Sequence, residues 1–148
     1  MCAGDLPAVL HVAKKSMANP WGSSLFESEL ALTSGVRLVA GKGEIYGYVI
    51  FRVIDRETEL LQLAVLPSCR RQGIGSQLLA HGFKKLCRQQ ARVCFLEVRR
   101  QNRAGRLFYH KAGFQPVGIR KRYYRRPSDD AVIMRKILDE DSGDADTS

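Results

Sequence analysis

The hydrophobic period changes several times along the chain, and each change marks an element. In "DLPAVLHVAKKSM" the apolar residues Leu6, Val9, Leu10 and Ala13 recur every three or four positions, which predicts a helix with Asp5 as its N-cap and Pro7 in its first turn. A shorter helix is expected from Ser24 to about Leu32. The period then drops: "VRLVA" (36–40) and "EIYGYVIFRVID" (44–55) are rich in β-branched and aromatic residues and are joined by "GKG", which predicts a hairpin. "ELLQLAVLP" (59–67) reads as a third strand, and its more uniform apolarity places it near the centre of a sheet.

From Gly73 the period is helical again, with Ile74, Leu78, Leu79, Phe83, Leu86 and Cys87 on one face. "RVCFLEV" (92–98) is an apolar strand, and "NRAGRLFYHKAG" (102–113) is a helix with an Asn N-cap and a Gly at its end. "FQPVGIRKRYY" and "AVIMRKIL" supply two last strands. The helix between the third and fourth strands makes a crossover, so those two strands run parallel in an otherwise antiparallel sheet. The pattern predicts an α+β fold with a mixed sheet of about six strands and about four helices, without repeat or linker.

Length and charge bound this picture. At 148 residues and 45% hydrophobic, the chain suits one domain with one core, expected over residues 1–138. No apolar stretch reaches the roughly 20 residues of a membrane span and no signal-peptide pattern follows Met1, so a soluble, unexported protein is expected, taken as cytoplasmic and monomeric. The four cysteines, Cys2, Cys69, Cys87 and Cys94, have no zinc-ligand spacing with His11, His81 or His110, so reduced thiols and no metal are expected. His11 and His81 read as solvated, and His110 as pointing elsewhere on its helix than Tyr109.

Net charge is −1 over residues 1–60, +15 over 61–138 and −5 over 139–148. The second half therefore suits an anionic ligand, and "DEDSGDADTS" reads as a disordered acidic tail, a solvated end rather than an autoinhibitory plug.

The stretch "CRRQGIGSQLLAHGFKKL" (69–86) leads from the central strand into a helix. Exposed N–H groups at that helix start, two glycines and paired arginines can hold a phosphate, or the glycines can serve a plain turn. The spacing is neither a Walker loop nor a complete dinucleotide fingerprint. Glu97 is an ionisable residue in an apolar strand, either a general base or a surface carboxylate paired with Arg99 or Arg100. Tyr109 is either a proton donor facing the sheet or a packing residue beside Leu107 and Phe108.

An apolar strand ending in a proline, then R-x-x-G-x-G and an amphipathic helix, resembles the acetyl-CoA signature of the GNAT N-acetyltransferase superfamily. "PW" (20–21), "LAV" (63–65), "RRQGIGSQLL", "LEVR" (96–99), Asn102, "LFYHKAGF" and "IRKRYY" followed by "DDAVIM" resemble the bacterial RimI family of ribosomal-protein-alanine N-acetyltransferases. The resemblance extends to Leu138. Where that family has a short strand before the "DLP" helix, only "MCAG" precedes Asp5 here.

The resemblance implies a splayed parallel strand pair and acetyl-CoA as cosubstrate. It implies Glu97 as proton acceptor and Tyr109 as proton donor. Cofactor contacts carry over to Leu63, Ala64 and Val65, to Arg71, Gln72, Gly73, Ile74, Gly75 and Ser76, and to Asn102, which also suits a helix N-cap. Trp21, Tyr123 and Tyr124 are candidate walls of the acceptor groove, or loop anchors. The expected reaction is acetylation of the N-terminal amine of a ribosomal protein. A lysine or small-amine acceptor is the alternative, and a basic ribosome- or RNA-binding module is the non-enzyme one; the basic half also suits a weak ribosome contact by an enzyme.

Overall fold

The computed structural model describes residues 1–41, 43–125 and 127–139. The helices are α1 (Leu6–Ser16), α2 (Ser23–Leu30), α3 (Ile74–Arg88) and α4 (Arg103–Lys111). The strands are β1 (Val36–Ala40), β2 (Gly47–Ile54), β3 (Glu57–Val65), β4 (Val93–Arg99), β5 (Gln115–Arg125) and β6 (Ser128–Ile137). They form one mixed sheet in the order β1-β2-β3-β4-β6-β5. Every predicted element is present, and β3 is indeed internal. Residues 44–46 belong to the first turn rather than to β2, because Gly47 is the first residue registered against β1.

Alternation of side chains on the strands divides the core between the two faces of the sheet. Val49, Phe51, Cys94 and Leu96 pack under α3 in one cluster with its Leu79 and Leu86. Tyr48 and Ile50 pack on the other face with Val9, Val12 and Phe26 from α1 and α2. Glu29 of α2 is 3% exposed and meets the Arg52 guanidinium at 2.9 Å and that of Arg37 at 3.8 Å, tying α2 to β2 and β1.

Asp5 holds the N-cap position of α1 as expected, but its side chain does not cap the helix. Residues Ala3–Asp5 form a 3-10 turn ahead of α1, and the Asp5 carboxylate accepts the Cys2 N–H at 2.8 Å, leaving α1 without a side-chain cap. The Met1 ammonium donates to the Arg37 carbonyl of β1 at 3.1 Å, so the first residues lie beside that edge strand. Of the expected acidic tail, residues 139–148, all but Asp139 lies outside the described residues.

The feature that positions the site is an interruption between β3 and β4. Their parallel ladder registers only Glu57, Thr58 and Glu59 against Val93, Cys94 and Phe95. Beyond it β3 carries a bulge against β2, with Ile50 opposite Gln62 and Phe51 opposite Leu60, so Leu61 is an extra residue. β4 meanwhile stays in register with β6 as far as Arg99. Held on opposite sides by different partners, the two strands part, and residues 60–65 have no ladder with β4.

Candidate active site

The loop before α3 enters the helix through two left-handed residues, Arg71 at φ 66° and Gly73 at φ 77°. Gly73 is the N-cap and has no side chain with which to cap the first turn, so the leading N–H groups of α3 are left for another acceptor. They open on a cleft of about 520 Å³. One wall is Leu63, Ala64 and Val65, the other Asn102, Gly105, Phe108 and Tyr109, and Arg70 and Arg71 stand at the rim. A cleft that joins the uncapped start of α3 to the end of β3, lined by apolar as well as polar residues, suits the pyrophosphate and arm of acetyl-CoA.

Of the proposed cofactor contacts, Leu63, Ala64, Val65, Arg71, Gly73, Ile74, Gly75, Ser76 and Asn102 line this cleft. Gln72 lies in the same loop, exposed and off the lining. Asn102 accepts the Gly105 N–H at 2.9 Å, so it is the N-cap of α4 while also facing the cleft. Ser16, Met17, Cys69 and Phe108 line the cleft as well, which the sequence reading missed. Ser16 donates to the Val65 carbonyl at 3.2 Å, pinning the end of α1 to the end of β3. No local pattern announces that contact, since 49 residues separate its partners.

A second, smaller cleft of about 240 Å³ occupies the gap between the strands and holds both Glu97 and Tyr109. They approach from opposite faces. Tyr109 packs with the core under α3, whereas Glu97 alternates with the buried Leu96 and Val98 of that same core and so projects from the other side. Burial pushes the Tyr109 phenol up to about 12, so it keeps its proton at neutral pH.

The Glu97 carboxylate is 19% exposed and lies 3.3 Å from Nε of Arg120. It is not paired with Arg99 or Arg100. Arg99 donates to the Pro127 carbonyl at 2.7 Å and stacks 4.2 Å from the Tyr124 ring centre, while Arg100 meets Asp130 at 3.3 Å. Interaction with the nearby Glu97 carboxylate holds the Tyr123 phenol above the usual range. Arg120 is thus a site residue that the sequence reading passed over, although it stands inside "IRKRYY".

The approach of Arg120 and Tyr123 to one carboxylate depends on a bulge in β5. Arg120 registers with Ala131 and Tyr124 with Asp129, so three residues face the single Asp130 of β6. Arg122, at φ 53°, donates its N–H to Asp130 at 2.9 Å and holds the bulge in place. Tyr124 lines the gap between the strands; Tyr123 is 48% exposed at its edge. Trp21 does not reach either cleft and packs edge-on against Phe26 at 5.3 Å, so the anchoring role is the one its contacts support.

His11, His81 and His110 are exposed. Among the described residues no group of three or more His, Cys, Asp or Glu is placed to hold a metal ion, and no helix is long and apolar enough to cross a membrane.

The splayed pair beside an uncapped helix start defines a class, the acyltransferases that draw on acetyl-CoA, and residues 34–116 match the acetyltransferase (GNAT) domain. Within that class the chain belongs to the RimI family: it is 33% identical over 132 residues to the [ribosomal protein bS18]-alanine N-acetyltransferase of Escherichia coli K12, covering 88% of this chain and 89% of the relative. It is 36% identical over 131 residues to the N-alpha-acetyltransferase RimI of Mycobacterium tuberculosis, covering 85% and 78%. The crystal structure of the Escherichia coli ribosomal-protein-S18-alanine N-acetyltransferase superposes with a TM-score of 0.86 at 30% identity, over 93% of this chain and 90% of that one.

Proposed function

We propose that the chain acetylates the α-amino group of a ribosomal protein that begins with alanine, the reaction the names of its relatives describe for them. The observation that carries the reading is the meeting of Glu97 and Tyr109 in the gap between β3 and β4, where the acetyl-CoA cleft ends. Acetyl-CoA supplies the acetyl thioester when bound. The uncapped N–H groups of α3, with Arg71, hold the anionic end, and the walls formed by Leu63 to Val65 and by Phe108 hold the apolar arm.

An α-amine with a pKa near 8 is partly neutral at physiological pH, so a modest base is enough. Glu97 takes the proton that the acceptor amine must lose, and Arg120 fixes the direction of its carboxylate. Tyr109 gives its proton to the departing sulfur; the phenol is the weaker acid in isolation, but the developing thiolate is held in a buried cleft where charge is unfavourable. Tyr124 and the exposed ring of Tyr123 stand where the acceptor enters. This reading places the protein in the cytoplasm, where ribosomal proteins are made.

Mass spectrometry of acetyl-CoA reactions with free and N-terminally blocked peptides tests it. A free peptide starting with alanine gains one acetyl group, and a blocked lysine-containing peptide gains none. Glu97→Gln and Tyr109→Phe each slow the reaction by about 100-fold or more. Full activity in both variants removes the acid and base assignments, and preferential modification of the blocked peptide removes the acceptor assignment.

A further inference from the structure

Between Glu97 and Asp129 the chain carries ten Lys and Arg residues and no Asp or Glu. The fold gathers part of this charge away from the acetyl-transfer site. Arg100 just past β4, Arg103 and Arg106 on α4, and Arg122 in the β5 bulge line one open cleft of about 760 Å³. Arg103 and Arg106 are three residues apart on a side of α4 turned away from Gly105, Phe108 and Tyr109, which face the acetyl-CoA cleft.

The cleft also contains Asp129 and Asp130, but their carboxylates are already engaged. Asp129 accepts the Gln101 N–H at 3.1 Å and the Asp130 N–H at 2.8 Å. Asp130 accepts the Arg122 N–H at 2.9 Å and the Arg100 guanidinium at 3.3 Å. Among the described residues no carboxylate pairs with Arg103, Arg106 or the Arg122 guanidinium, and Nε of Arg106 is buried with no acceptor. Three guanidinium forks therefore line the cleft with no carboxylate paired to them, and its lining keeps four arginines against two aspartates.

We propose that this cleft docks the phosphodiester backbone of a single strand of RNA. Guanidinium forks match phosphate oxygens in pairs, and the start of α4 adds its own partial positive charge. The lining has no apolar side chain, so an amphipathic helix or a lipid tail has nothing to bury against it. The choice of RNA over another polyanion rests on the ribosomal acceptor proposed above, since RNA is the polyanion that surrounds such a substrate.

Fluorescence anisotropy with a labelled oligouridine of about 15 nucleotides tests the docking on the full chain. Three phosphate contacts predict a log–log salt slope of about −2, hence about 20-fold weaker binding on going from about 50 to about 200 mM KCl. The double variant Arg103→Gln/Arg106→Gln is expected to flatten that slope by about 1.4 and to weaken binding about tenfold at low salt. Its acetylation of a free peptide stays within about twofold of the parent, which also reports that it folds. The double variant Lys84→Gln/Arg88→Gln, which removes equal charge from α3, is expected to leave the slope unchanged.

Equal losses in the two double variants mean diffuse charge and overturn the site. So does absence of binding at about 50 mM KCl. Tighter binding of oligothymidine or of a polyglutamate peptide overturns the assignment to RNA. Loss of peptide acetylation with RNA binding intact instead strikes the enzymatic reading and leaves this site standing.

Discussion

Gly73 sits at φ 77° in the left-handed region, whereas Gly75 lies within α3, where an added Cβ would stand 3.3 Å from the Phe108 ring. The first glycine turns the backbone into the helix without a side chain over its exposed N–H groups. The second lets α3 approach α4, so its role is packing of the two walls and not only access for a phosphate. At the same scale Tyr109 makes a testable link between burial and chemistry. Its folded pKa of about 12 exceeds the value near 10 of an unfolded chain, so between those values the unfolded state binds fewer protons. Stability therefore falls as pH rises from 10 to 12, by up to about 3 kcal/mol from this residue. Urea unfolding at pH 8 and pH 11 is expected to show a smaller alkaline loss in Tyr109→Phe than in the parent. Burial also pushes Tyr48 and Cys94 up, and their share of the loss persists in both proteins.

At the scale of elements, α3 and β2 set the depth of the fold. A Cβ on Gly82 would overlap the Phe51 ring, and Phe51 is fully buried and cannot swing aside. Gly82→Ala is expected to cost about 1 to 3 kcal/mol in denaturant unfolding, against the usual gain from replacing a helical glycine by alanine. An unchanged midpoint would mean that α3 shifts freely on the sheet. Parting of β3 from β4 is also decided here. The β3 bulge at Leu61 reverses which side chains face α1, so the Gln62 amide turns inward and accepts the Tyr48 hydroxyl at 2.6 Å. The strand was legible in "ELLQLAV", but the bulge was not, because it depends on the register with β2.

For the whole molecule, the site is assembled from segments that are far apart in sequence and are anchored separately to the sheet. Acetyl-CoA bridges the α3 entry, the end of β3 and α4, so it should stabilise the folded state as a unit. At a concentration of about 100 Kd the gain is about 2.7 kcal/mol, or a rise in Tm of roughly 5 to 10 °C. Differential scanning fluorimetry with and without acetyl-CoA measures this. A shift under about 1 °C at saturation would show that the cleft does not hold it.

Period and composition were sufficient for the elements of this protein, for their order and for the parallel crossover, because these follow from local propensity and from the handedness of strand–helix–strand connections. The R-x-x-G-x-G entry and Glu97 stood out because each departs from the pattern around it, whereas Tyr109 was marked as a proton donor only by the family resemblance. Tertiary structure alone decided which charges meet. Glu97 faces Arg120 rather than its neighbours Arg99 and Arg100, because alternation along β4 and the bulge in β5 place partners by register. Side-chain direction across a sheet depends on long-range pairing, which no short stretch of sequence encodes by itself.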